Sequence, residues 1–114
     1  MNALELAQFA AKAAAEKKAQ RPVLLDLRGQ SDMCDFQFIC SGDNTRQTQA
    51  IAASVEGMLK QRGMKPVAIE GQQSGNWILI DYGATIVHVF FEQLRDYYAL
   101  EQLWPKAKFI NPGS

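Results

Sequence analysis

Histidine and cysteine are nearly absent from this chain: His88 is its one imidazole, and Cys34 and Cys40 are its only thiols. A four-ligand zinc site needs more soft donors than these residues supply. Two cysteines do not make a disulfide scaffold either, so both are expected as reduced, semi-buried thiols. Charge of one sign is also missing, since 12 Lys and Arg face 12 Asp and Glu. That balance argues against broad binding along a nucleic-acid backbone, which requires clustered cations to displace counterions. A local basic patch stays open, because Lys12, Lys17, Lys18, Arg21 and Arg28 outnumber Glu16 and Asp26. No apolar run approaches the roughly 18 residues of a membrane span. The N-terminus carries Glu5 ahead of any lysine and an alanine-rich stretch, unlike a secretory signal. A soluble, cytoplasmic protein with no membrane partner is expected.

What is present suits one domain over residues 1–114. Hydrophobic residues make up 47% and charged residues 21%, which excludes disorder and leaves enough apolar surface for a core. Residues 2–20 read as an amphipathic helix within an N-terminal segment, 1–21. Asn2 is its cap and Glu5 the reciprocal partner, while Leu6, Phe9, Ala10 and Ala13 share one face. Pro22 is expected to end it.

Val23 to Leu27 reads as a strand buried on both faces, and Asp35 to Cys40 as a second. A helix capped by Asn44 or Thr45 follows, burying Ile51, Val55, Met58 and Leu59 and closing at Gly63. Lys65 to Glu70 is an edge strand, because Pro66 cannot donate to a ladder. Trp77 to Tyr82 and Thr85 to Phe91 are strands close enough for an antiparallel hairpin. Glu92 to Leu103 is a last helix with Leu94, Tyr97, Tyr98 and Leu100 as its apolar surface, and 106–114 is a flexible tail. The order gives an α/β fold: a mixed sheet of about five strands with flanking helices.

Most candidate chemistry reduces to structure. Neither a dinucleotide-binding nor a P-loop glycine string occurs, and Ser41 to Asn44 reads as a turn and cap. A two-metal site on a strand would need acids at alternate positions, whereas Asp32 and Asp35 are three apart. Asp26 and Asp81 could meet only through tertiary pairing. His88, flanked by Val87 and Val89, reads as a hydrogen-bonded core histidine, and nothing local activates Cys34 or Cys40. No catalytic residue, metal or cofactor is assigned.

The hairpin stands apart. Period two puts Trp77, Leu79 and Asp81 on one face and Ile78, Ile80 and Tyr82 on the other. An aromatic and a leucine beside a carboxylate have the composition of an interface anchor, although a two-sided core would use the same pattern.

Several spaced strings resemble the ribosomal silencing factors, or Iojap family, over roughly residues 22–104. They are Leu25 to Gly29, Asp35 with Ile39 to Gly42 and Arg46-Gln47, and Glu70-Gly71. Trp77 to Gly83, Val87 to Phe90, Arg95, Tyr98 to Glu101 and Leu103-Trp104 complete the series. The resemblance implies a nucleotidyltransferase-like fold without that fold's catalytic acids. It also implies a non-enzymatic translation repressor that binds the large ribosomal subunit through its protein fourteen and sterically blocks the small subunit. Sequence-specific nucleic acid is not among the implied partners. The contact residues expected from the hairpin are Trp77, Leu79, Asp81, Tyr82, His88 and Phe90. Two alternatives remain: a cryptic nucleotide-binding protein using Asp26, Asp32 or Asp35, and an adaptor that forms homodimers through the same hairpin.

Overall fold

Asn2 starts the fold as its spacing from Glu5 predicts. Its side chain accepts the Glu5 N–H, and the Glu5 carboxylate accepts the Asn2 N–H. The computed structural model describes residues 1–112, and helix α1 occupies Ala3–Glu16. It ends short of the expected Gln20 because Lys18 takes a φ of 60° and Ala19 N–H turns back to the Ala14 carbonyl. Pro22 therefore does not stop a helix. It lies in strand β1, Gln20–Asp26, at an irregularity between Gln20 and Val23 where its missing N–H costs no ladder bond.

Strand β2 (Phe36–Gly42) leads through an Asn44 cap into helix α2 (Thr45–Gln61). Strands β3 (Ala68–Glu70), β4 (Trp77–Asp81) and β5 (Thr85–Phe91) follow. The expected last helix is broken. Helix α3 covers Glu92–Tyr98, Ala99 enters the left-handed region at φ 45°, and a 3-10 turn runs over Leu100–Leu103. This break turns Leu100 inward and brings Glu101 under Arg95.

The sheet has six strands, not five, in the order β3-β4-β5-β2-β1-β6. The added strand β6, Lys108–Ile110, comes from the segment expected to be a loose tail. It pairs antiparallel with β1, placing Ile110 beside Leu24 and Phe109 beside Leu25. The physical reason is the edge itself: Leu24 and Leu25 are fully buried, and β1 needs a neighbour to pair its outer backbone groups. The last two residues of that expected tail, 113 and 114, lie outside the described residues. Only β2 and β5 run parallel; the other neighbours are antiparallel.

Helices α1 and α2 cover one face of the sheet. Ala7, Ala10, Ala13 and Ala14 are fully buried there with Phe38, Ile51, Val55, Ile78, Ile80, Val87 and Val89. Small side chains let α1 lie close, so that Ser54 of α2 donates to the Ala13 carbonyl at 3.0 Å. Each fully buried Ile or Val contributes about 1.5–3 kcal/mol. The second face buries Leu25, Leu27, Ile39 and Phe90 beneath Leu100, Trp104 and Ala107. Its cover is incomplete: Trp77, Leu79 and Asp81 of β4 stay half-buried.

Candidate protein-docking face

Strand alternation and register together assemble the site. Ile78 and Ile80 point into the helix-covered core, and so Trp77, Leu79 and Asp81 must point to the other face. Antiparallel pairing sets Phe90 opposite Trp77, His88 opposite Leu79 and Ile86 opposite Asp81. On the outer side β3 adds Glu70 beside Leu79 and Ala68 beside Asp81. Five of the six expected contact residues thus share one face. Tyr82 does not, because it falls in the Ile78 and Ile80 set. Its ring packs against the helix-side core, where burial pushes the phenol up to about 12.

The five differ in depth. Trp77, Leu79 and Asp81 are half-open, while His88 and Phe90 are buried and form the floor beneath them. The Trp77 indole N–H donates to His88 Nδ1 at 3.1 Å. Its ring stacks on Phe90 at 4.9 Å and tilts against Tyr98 at 4.8 Å. Because Nδ1 accepts, the neutral imidazole carries its proton on Nε2. Burial lowers the His88 pKa from 6.5 to about 4, so the ring is uncharged at neutral pH. His88 therefore fixes the indole from beneath.

Two residues that sequence reasoning assigned to a helix's apolar side extend the face. Tyr98 continues the aromatic stack, and Tyr97 meets it edge-on at 5.2 Å while remaining 81% exposed. The signal was adjacency: neighbours on a helix diverge by about 100°, so two consecutive tyrosines cannot both turn inward.

A charged frame holds α3 in place. Arg95 is fully buried, pairs with Glu101 at 2.9 Å, and donates to Ser41 Oγ and the Gln20 carbonyl. The Ser41 hydroxyl donates to the Glu92 carboxylate, and Arg21 bridges Glu92 and Asp96. Burial alone would raise the Glu92 pKa, but the bonds from Ser41 and Arg21 bring it below the usual value. Arg21 likewise lowers Asp96. By contrast, among the described residues Asp81 makes no salt bridge, and its carboxylate accepts the Gly83 N–H at 2.7 Å.

The remaining candidates do not converge. Asp26 is paired with Arg28 at 2.8 Å, and Asp32 and Asp35 are exposed between β1 and β2. Among the described residues no three His, Cys, Asp or Glu side chains come together to hold a metal. Cys34 and Cys40 are free and buried, and burial raises the Cys40 thiol to about 12.

Residues 1–113 match the family described as ribosomal silencing factor during starvation. The chain belongs to the ribosomal silencing factor family. The family match extends over α1, which lay outside the strings that carried the resemblance. The ribosomal silencing factor RsfS of Halalkalibacterium halodurans is 40% identical over 110 residues, covering 96% of this chain and 94% of that protein. The crystal structure of a Chromobacterium violaceum protein is similar at a TM-score of 0.89 and 34% identity, covering 97% of this chain and 94% of that one. A mouse protein named mitochondrial assembly of ribosomal large subunit protein 1 is 33% identical over 78 residues, 66% of this chain and 34% of its own length.

Proposed function

We propose that this protein represses translation by binding the large ribosomal subunit through its protein fourteen, where its bulk keeps the small subunit from docking. The observation that carries this reading is the half-open β4 face. There Trp77 is locked between His88, Phe90 and Tyr98, with the unpaired carboxylate of Asp81 beside Leu79. A pre-fixed aromatic spends little entropy on docking, and a free carboxylate suits the Lys or Arg of a basic ribosomal protein. Membership of the silencing factor family supports the ribosome as target, and the name of the mouse relative points to the large subunit.

Occlusion needs no chemistry, so the reading is non-enzymatic and cytoplasmic and requires no cofactor. Size is sufficient: the molecule measures 35 × 34 × 27 Å, thick enough to hold two docking surfaces apart. An ordinary interface takes roughly 800 Å² from each partner, which one face of this domain can supply. The test is affinity for purified large subunits. Trp77→Ala should weaken binding by about 2 kcal/mol or more, roughly thirtyfold. Asp81→Asn should weaken it less and flatten its salt dependence. Folded variants that bind as tightly as the parent would contradict this placement.

A further inference from the structure

Ion pairing is uneven over this neutral molecule. Outside α1, α2 and their turns, Arg21, Arg28 and Arg95 are each ion-paired, while Lys106 and Lys108 are exposed without a salt bridge among the described residues. On the helix side, among the described residues, Lys12, Lys17, Lys18, Arg46, Lys60 and Lys65 are all exposed and none makes a salt bridge. The acids of α1, α2 and their following turns are only Glu5, Glu16 and Glu56. Of the local basic patch suggested by the sequence, Arg21 and Arg28 are therefore neutralised and the lysines remain.

Helix stability does not explain this layer. Lys60 suits the last turn of α2, but Arg46 sits in its first turn, where the helix dipole disfavours a cation and the turn itself holds no acid. Lys12 is in the middle of α1. The two helices run antiparallel, since Gln47 donates to the Lys17 and Lys18 carbonyls at one end while Arg62 covers the Phe9 ring at the other. Cations thus stand at both ends of a surface about 25 Å long, the length of a 17-residue helix. Between them α2 exposes Gln49, Ala53 and Gly57, and the Gln49 amide is tied down to the Gln72 and Gln73 carbonyls, so no free, exposed long side chain stands on this stretch.

We infer that the α1–α2 layer is a binding surface for the sugar–phosphate backbone of RNA, without base readout. A membrane is disfavoured because, among the described residues, α1 and α2 themselves expose no large apolar side chain; Met1 and Val67 stand only at the margins of the layer, too far apart for one insertion face. The surface lies opposite the β4 face and does not depend on that face binding a protein.

The test is fluorescence anisotropy of a labelled, mixed-sequence, single-stranded RNA 15-mer titrated with the full chain. Contact with about three or four phosphates gives a weak complex whose affinity falls roughly 20- to 50-fold between 50 and 200 mM salt. The triple variant Lys12→Gln/Lys17→Gln/Lys60→Gln, checked for folding by circular dichroism, should bind at least tenfold more weakly at 50 mM salt. Asp81→Asn should bind the RNA as the parent does. No binding at 50 mM salt, an unaffected triple variant, or displacement of the RNA equally well by polyglutamate would overturn the inference.

Discussion

Replacing Arg95 with methionine isolates the contact that holds α3 over the sheet. The Arg95 side chain is 2% exposed and its partner Glu101 is 23% exposed. Removing the guanidinium strands the Glu101 carboxylate and takes a donor from Ser41 Oγ and the Gln20 carbonyl. Breaking a buried pair in this way costs about 3–5 kcal/mol. Water can reach Glu101, so the lower end, about 3 kcal/mol, is the expected loss. An unfolding entropy of about 2.1 cal/mol/K per residue, over 114 residues, converts that loss into a Tm fall of roughly 12 °C. Glu101→Gln keeps an acceptor oxygen and should cost less. The double variant should cost at least about 1 kcal/mol less than the two singles combined, because both disrupt one interaction. Urea and thermal unfolding followed by circular dichroism would measure all three. A loss under about 1 kcal/mol for Arg95→Met, or strict additivity, would refute the latch.

Gly57 lies exposed inside α2 with nothing within 4 Å of an added Cβ, so Gly57→Ala should raise stability by about 0.5–1 kcal/mol, seen as a higher Tm. Gly71 is the opposite case: at φ +82° its Cβ would meet the Trp77 carbonyl at 2.0 Å, so Gly71→Ala should destabilise by more than about 1 kcal/mol and shift tryptophan emission. His88 is neutral when folded down to about pH 4 but protonates near 6.5 when unfolded. The unfolded state therefore binds the extra proton between those values, and stability should fall as pH drops from 6.5 toward 4, by up to about 1.4 kcal/mol per unit. Denaturation of His88→Asn across that window should show a flatter slope; an unchanged slope would place the titration elsewhere.

The hairpin was readable because β4 and β5 are long enough for strict alternation, and the sorting of Ile78 and Ile80 from Trp77 and Leu79 follows from that period alone. Asn2 and Gly63 were readable for the same local reason, a cap with a matching partner and a glycine at φ 80° past a helix end. What escaped depends on distant contacts. Three residues after Pro105 carry no period, and β6 exists because β1 would otherwise expose an edge. The break at Ala99 is set by Arg95 reaching Glu101, not by any breaker residue. The depth of His88 and Phe90 beneath Trp77, and the approach of Tyr98, depend on how α3 folds back, which the sequence of β5 cannot express.

The most direct measurement is sedimentation of separated ribosomal subunits mixed with the purified protein. Co-migration with the large subunit, fewer joined ribosomes, and loss of both effects in Trp77→Ala is the expected result. Protein left at the top of the gradient with joining intact would contradict occlusion, as would co-migration that leaves joining unchanged.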